Sequence, residues 1–401
     1  MAITETRAVT ETTGKRFPQG APRFRGKLLF LTRSLERGGA ERQLVTLARA
    51  LHTGGVNVIV VTFYAGGPLR RDLEDAGVKV LDLGKRGRWD NLTFLMRLLR
   101  LLRAESPLVL HSYLGVANIL TALASFVLPG TRIVWGVRAS DMDLSRYDWL
   151  SRVVWWLERR LSRVPDLIIA NSRAGRSHAI ASGFPEDRIR VILNGIDIRR
   201  FHYDPVGRQR MRATWGIQEN ELLIGLAARL DPMKGHATFL KAAALLSAAP
   251  QPLRFVCIGD GSVAFRRELE SLASRAGMSR AMLWAGAVDE MPAAYSALDI
   301  AVSASCFGEG FSNAIAEAMA CQRPCVITDV GDSAWIVGEA GVVVPATDAP
   351  AMAMALTRMA EMDAGQRLAL GTAARARVEN EFTEEHLLSN TLSALEQVAC
   401  V

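Results

Sequence analysis

Short runs rich in Val, Ile and Leu alternate with segments of helical periodicity along this chain, and the alternation starts over once, near its middle. Runs of this length and composition suit strands buried on both faces, and the helix between successive runs is the crossover that parallel strands need. The first series comprises Lys27 to Thr32, Val56 to Phe63, Val78 to Leu83, Leu108 to Ser112, Arg132 to Val137, Asp166 to Asn171 and Ile189 to Leu193. After the stretch 197–221 a second series follows: Leu222 to Ala227, Arg254 to Ile258, Met282 to Ala285, Ile300 to Ala304, Cys325 to Thr328 and Gly341 to Val344. The expected class is α/β, with two Rossmann-like, doubly wound parallel-sheet domains facing an interdomain cleft; 401 residues suit two cores better than one. The expected divisions are a disordered leader over 1–26, a first domain over 27–198, a second over 199–380, and a terminal helix over 381–401. That helix has no strand after it and is expected to pack back on the first domain.

Apolar residues make up 49% of the chain and charged ones 22%, the balance of a folded protein and not of a disordered one. The longest apolar stretch, Leu114 to Leu128, is broken by Asn118, Thr121 and Ser125, so it reads as a buried helix and not a membrane span. The leader is rich in Thr, Arg, Gly and Pro and carries no apolar core of a secretory signal. Cys257, Cys306, Cys321, Cys325 and Cys400 are odd in number and scattered, which predicts free thiols and a reducing, cytoplasmic setting. Charge is divided unequally: residues 1–200 hold 32 Lys and Arg against 18 Asp and Glu, whereas 201–401 hold 16 against 23. The basic half is suited to polyanions such as an anionic bilayer or a phosphorylated substrate. Nucleic acid is the poorer reading, because aromatic-rich binding signatures are lacking.

In doubly wound sheets ligands sit beyond the carboxyl ends of the strands. Four clusters fall there. Gly38 and Gly39 follow the first strand and open a helix with the stripe Leu44, Leu47 and Leu51; such a turn lets backbone approach a ligand and offers free amides to an anion. It lacks the full G-x-G-x-x-G spacing of a dinucleotide site. Arg229 and Lys234 flank a turn after the first strand of the second series, two cations spaced to converge on adjacent phosphates. Gly259-Asp260-Gly261 forms a tight turn at another carboxyl edge. Glu309-Gly310-Phe311-Ser312 precedes a helix expected to begin near Ser312 and to carry Glu317, so that two acceptor-only carboxylates face one ligand, as vicinal hydroxyls require. None of these cleft motifs contains an Asp-x-Asp metal signature.

Glu309 and Glu317 stand in the E-x7-E spacing, and with them occur, in order, Gly38-Gly39-Ala40-Glu41-Arg42, His111-Ser112, Asn171-Ser172, Asn194-Gly195-Ile196-Asp197, Arg229 with Lys234-Gly235, Gly259-Asp260-Gly261, Tyr295-Ser296-Ala297-Leu298-Asp299 and Glu317-Ala318-Met319-Ala320-Cys321. The set resembles the retaining glycosyltransferases of family 4, of the GT-B fold, over about residues 27–382, and most closely those that build bacterial surface polysaccharides and exopolysaccharides. One departure is Gln322, where the family usually has Gly. The resemblance implies a nucleotide-sugar donor as a substrate, with no cofactor and no metal. It implies that Arg229 and Lys234 grip the diphosphate, that Gly38 and Gly39 approach it from the other domain, and that Glu317 holds the ribose, with the base near Gly286 to Val288. Glu309 and the amides of Gly310, Phe311 and Ser312 would hold the donor sugar, and His111 would lie beside it on the acceptor side. The acceptor implied is a glycan or lipid-linked intermediate. Asn91 to Arg103 and Trp149 to Arg163 interleave apolar residues with arginines and suit either peripheral contact with an anionic membrane or packing on the sheet. A nucleotide-sugar epimerase of similar architecture is the alternative.

Overall fold

A computed structural model of the chain describes residues 24–87, 90–138, 149–246 and 252–400. The first half runs β1 (Lys27–Thr32), α1 (Gly39–Thr53), β2 (Asn57–Thr62), α2 (Arg70–Glu74), β3 (Lys79–Asp82), α3 (Asn91–Glu105), β4 (Val109–Tyr113), α4 (Gly115–Ser125), β5 (Arg132–Val137), α5 (Trp149–Leu161), β6 (Leu167–Ala170), α6 (Arg173–Ala181) and β7 (Ile189–Val191). The second half runs α7 (Pro205–Thr214), β8 (Leu222–Ala227), α8 (His236–Leu245), β9 (Leu253–Ile258), α9 (Val263–Arg275), β10 (Met282–Gly286), α10 (Met291–Ala297), β11 (Ile300–Ser303), α11 (Asn313–Ala320), β12 (Cys325–Thr328), α12 (Ser333–Val337), β13 (Gly341–Val344), α13 (Ala349–Glu361), α14 (Ala364–Glu381) and α15 (Glu384–Ala399). All thirteen expected strands form, and every pairing between them is parallel.

The two sheets have the orders β3-β2-β1-β4-β5-β6-β7 and β10-β9-β8-β11-β12-β13. Each reverses direction beside its first strand, at β1/β4 and at β8/β11, and such a reversal opens a crevice at the carboxyl edge. Strands such as β1, with Leu28 to Leu31 fully buried, lie between helices on both faces, which is why they read as continuous apolar runs.

Two chain crossings join the halves and run side by side. Ile192 belongs to the core around β1 and β4, whereas Ile196 belongs to the core around α11. The return crossing has Phe382 in the second core and Leu387 in the first. Ile196 and Thr383 pair as a parallel bridge, and the Ile196 amide donates to the Phe382 carbonyl at 2.7 Å. Gly195 makes this approach feasible, since a Cβ there would stand 2.9 Å from Glu384 Cα. Beyond it α15 lies on α1 and buries Leu387, Leu392 and Leu395 in the first core; each such leucine is worth about 1.5–3 kcal/mol.

Residues 1–23 of the expected leader lie outside the described residues. Phe24 corrects the expected boundary: it is buried in the first core, because an aromatic ring beside Leu28 and α15 gains more by burial than a polar leader residue would. Gln322 takes a left-handed φ of 58°, the conformation for which glycine is suited, so this departure from the family pattern places backbone strain after α11.

Similar sequence patterns in α3 and α5 meet different surroundings. The α3 stripe Phe94, Leu98 and Leu102 is buried on the sheet. In α5 the one fully buried residue is a carboxylic acid, Glu158, while Trp149, Leu150, Val153 and Trp156 are exposed. Asn118 Nδ2 donates to Glu158 Oε1 at 2.6 Å. Burial pushes the Glu158 carboxyl up to about 7, against the Asn118 hydrogen bond that lowers it. The native state therefore holds a proton between about pH 4.5 and 7 that the unfolded chain has released, and this contribution to stability is lost as pH rises through that window. Relative to wild type, Glu158→Gln is expected to gain in Tm from pH 5 to pH 8, by several degrees; a difference independent of pH would contradict the assignment.

Candidate active site

β8 ends at Ala227, and the chain then makes one 3-10 turn, Pro232–Lys234, capped by Asp231, whose side chain accepts from the Met233 amide at 3.0 Å. Gly235, at φ 66°, passes so close to the loop after β11 that a Cβ would lie 1.8 Å from the Ala304 carbonyl oxygen. This close fit sets Lys234 against that loop. Its Nζ reaches Glu309 Oε2 at 2.5 Å, and Ser305 Oγ donates to the same oxygen at 3.1 Å. Glu309 is buried, so its charge depends on these charge-assisted bonds and not on water.

Ser312 caps α11, and Glu317 stands one turn beyond Asn313 on that helix, 4% exposed. Tyr295 Oη donates to Glu317 Oε2 at 3.0 Å, and Arg42 Nη1, from α1 of the other domain, lies 3.3 Å from Oε1. Burial raises the Glu317 carboxyl above its usual range, while Arg42 and the Tyr295 hydrogen bond oppose the shift. Arg229 is largely exposed and bonded to Asp231 at 3.0 Å. It touches neither carboxylate, but its charge acts on Glu41 of α1, where it opposes the rise in pKa caused by burial.

The glycine turn faces this assembly directly. Gly38 caps α1 without a side chain; a Cβ there would fall 2.0 Å from Glu41 Oε2. Asn313 Nδ2 donates to the Gly39 carbonyl at 3.3 Å, and Asn313 Oδ1 accepts from Asn194 at 2.8 Å and Gln43 at 3.4 Å. At one end of the cleft Arg37 pairs with Asp289 at 2.7 Å. At the other, Asp332 accepts from the Arg173 and Ala174 amides at 2.7 and 2.8 Å, capping α6 from across the gap. The Arg173 guanidinium lies 4.0 Å from the Trp335 ring centroid. The cleft is thus closed on itself.

The remaining expected residues are placed less uniformly. Gly286 ends β10 at φ 69° beside Asp260, its carbonyl accepting from the Gly259 amide at 2.8 Å, and Val288 packs half-buried against the second core. The Phe311 side chain is a core residue, edge-on to Phe382 at 5.4 Å between centroids, so it offers the cleft only backbone. Gly310 adjoins the first domain: a Cβ would stand 2.8 Å from Asn171 Oδ1. His111 does not line an open cleft. It is fully buried between Phe30 and Tyr113, with centroids 5.2 and 4.9 Å away, and burial, with Arg138 adding to it, holds its pKa well below the ordinary value. Sequence reasoning gave no separate role to Arg42, Tyr295, Asn313 or Asp332. The first two stand in quoted motifs, but no local spacing signals that they meet Glu317.

This geometry coincides with what comparison finds. The description "Glycosyltransferase Family 4" matches residues 37–200 and "Glycosyl transferases group 1" matches 221–362, so between them they include the glycine turn, both cations and both carboxylates. The glycosyltransferase EpsF of Bacillus subtilis is 26% identical over 313 residues, 76% of this chain and 79% of that one. Crystalline HepE of Anabaena with UDP-glucose superposes with a TM-score of 0.81 at 23% identity, over 93% of this chain and all of the other. This chain belongs to the GT-B glycosyltransferases. The transferase also matches the lipopolysaccharide core mannosyltransferase LpsB of Rhizobium meliloti, 31% identical over 49% of this chain and 57% of that one. Both buried carboxylates of the second domain are thus paired with a cation, Glu309 with Lys234 and Glu317 with Arg42.

Proposed function

We propose that the transferase moves a sugar from a UDP- or GDP-sugar to an acceptor hydroxyl with retention of anomeric configuration, and that the acceptor is a lipid-linked glycan of surface polysaccharide synthesis. The observation that carries this reading is the meeting of Lys234 with buried Glu309 at the carboxyl edge of the second sheet, opposite the glycine turn. Donor phosphates would draw Lys234 and Arg229, and the donor sugar's hydroxyls would bond to Glu309 and the amides of residues 310–312. Glu317 would hold the ribose, and the base would lie by Gly286 and Val288. The anomeric carbon–phosphate oxygen bond breaks as the acceptor hydroxyl attacks from the same face. Its proton passes to the departing phosphate oxygen, whose charge the two cations stabilise, so neither a side-chain nucleophile nor a metal is needed. His111, neutral at physiological pH, would lie on the acceptor side. The HepE complexes with UDP and UDP-glucose support a uridine donor, and the LpsB name supports a surface-glycan acceptor. Thermal-shift screening against UDP- and GDP-sugars is expected to raise Tm with one nucleotide class, and proton NMR of the product to show the donor's anomeric configuration. No shift with any of them, or an inverted product, would refute the reading.

The reading includes peripheral contact with the cytoplasmic membrane face. Of the two candidate helices, α5 supports it: Trp149, Leu150, Val153 and Trp156 are exposed, and Arg152, Arg159, Arg160 and Arg163 lie on or just beyond the helix. Neighbouring α4 adds exposed Leu123 and, at its end, Phe126. Among the described residues no helix is long and apolar enough to cross a bilayer. Trp149→Ala/Trp156→Ala is expected to lower co-sedimentation with anionic phosphatidylglycerol vesicles at low salt at least fivefold; equal binding would remove α5 as the contact.

A further inference from the structure

Away from the cleft, a groove of about 450 Å³ runs between residues 202–203, the carboxyl end of α11 and one side of α14. It lies at the far end of α11 from the donor loop: Ser312 caps that helix at the cleft, and Ala320, the last of its eight residues, lines the groove about 12 Å further on. The volume falls within the range of about 300–1,000 Å³ usual for small-ligand sites. Its walls are braced by two arginines. Arg375 Nε donates to Glu379 Oε1 at 2.6 Å, its Nη1 to the Phe201 and Ala320 carbonyls, and its Nη2 to the Ile198 carbonyl. Arg323, 8% exposed, donates from Nε and Nη1 to the Cys321 and Leu298 carbonyls, and its guanidinium lies 4.7 Å from the Tyr203 ring centroid. Both cations are thus committed to the protein's own oxygens, and the Glu379 carboxylate is paired with one of them.

What remains for a ligand is a mixed set of donors and acceptors. The Gln322 carboxamide and the Tyr203 hydroxyl each offer both. The Thr372 hydroxyl donates to the Leu368 carbonyl at 2.9 Å and so meets a ligand as an acceptor. His202 Nδ1 lies 2.8 Å from the Arg199 carbonyl, which only accepts, so the neutral ring presents Nε2 as a further acceptor. Tyr203, 36% exposed, adds an aromatic ring. Gln322 holds its side chain there at φ 58°, where glycine would be unstrained, and α14 fits its backbone so closely that a Cβ on Gly371 would stand 2.1 Å from the Gln322 carbonyl oxygen. Strained positions of this kind cluster at ligand sites. An anion would find both arginines engaged, and an apolar ligand would strip these polar groups of water without replacing it. A neutral saccharide suits the set, since its hydroxyls donate and accept and the C–H face of a pyranose can lie on the Tyr203 ring.

We propose that this groove is a second saccharide-binding site, outside the cleft, in which Tyr203 and Gln322 hold a neutral segment of a glycan. A glycan tethered there is kept at high local concentration beside the transferase's cleft without taking part in the reaction. The test is methyl NMR of the full chain labelled at alanine, because Ala376 lines the groove and its methyl reports binding at this place and not in the cleft. Maltose, lactose, mannobiose and glucose are the probes, and Ala376→Ser assigns the resonance. At least one disaccharide is expected to shift the Ala376 methyl saturably, and Tyr203→Ala and Gln322→Gly each to weaken that binding at least fivefold. Gln322→Gly is the control for folding, since glycine relieves the left-handed φ and its Tm is expected to equal or exceed wild type. No saturable shift in wild type, or undiminished binding in either variant, overturns the proposal and leaves the donor site standing. Binding lost together with Tm in Gln322→Gly marks the residue as structural and overturns its role. Glucose 1-phosphate is expected to bind no more tightly than glucose; a preference for it assigns the groove to an anion and refutes the saccharide reading.

Discussion

Lys234→Ala is expected to lower kcat by about 10²- to 10³-fold, the loss typical when one preorganised donor to a developing oxyanion is removed. The substitution has a second consequence. Glu309 is buried and loses the cation 2.5 Å away, and removing one partner of a buried ion pair costs about 3–5 kcal/mol. The two effects are separable. Lys234→Met/Glu309→Gln removes both charges at similar volume, so its Tm is expected to return close to wild type while kcat stays low. If the double variant regained activity with its stability, Lys234 would be a structural cation and the leaving-group role would be lost. Steady-state rates and melting curves on the same preparations decide it.

Glu317→Ala is expected to weaken UDP about 10²-fold by calorimetry, since two hydrogen bonds to a charged group, at roughly 1.5 kcal/mol or more each, amount to about two decades of Kd. Arg42, about one-third exposed, is left to water, whereas the Tyr295 hydroxyl is left buried without its acceptor. Tyr295→Phe separates the contributions: it removes the hydroxyl but keeps the carboxylate, and is expected to cost less than tenfold in affinity. An unchanged Kd in Glu317→Ala would exclude the ribose role. Because Arg42 comes from the other domain, Arg42→Ala is the informative partner variant: it removes the competitor for Glu317, and UDP is expected to bind no more weakly.

The strands were legible because the signal for them is local. Leu28 to Leu31 and Leu222 to Leu226 are continuous apolar runs, as burial on both faces demands, and the turns that follow carry the glycines a ligand or a neighbouring strand edge requires. Gly235 shows the limit of that reading. Its place in the motif was plain, but the physical need for it, a carbonyl of the β11 loop 1.8 Å from where its Cβ would be, belongs to the fold. α3 and α5 show it again. Their patterns of leucine or tryptophan with arginine are alike, yet α3 buries Phe94, Leu98 and Leu102 whereas α5 buries Glu158 and leaves Trp155 and Leu161 only partly buried against the core, because burial depends on what lies opposite and not on the helix itself. His111 stands at a strand's carboxyl end as spacing implies, but its enclosure by Phe30 and Tyr113 arises from pairing between β1 and β4.

By itself the sequence determined the alternation of strand and helix, the restart that makes two sheets, and the residue types set at the strands' carboxyl ends, because strand length, helical period and backbone freedom are properties of neighbouring residues. Which charges meet was decided by tertiary structure alone. Arg42 and Glu317 are 275 residues apart, and their contact exists only because the paired crossings at residues 192–196 and 382–387 hold one sheet's carboxyl edge against the other's.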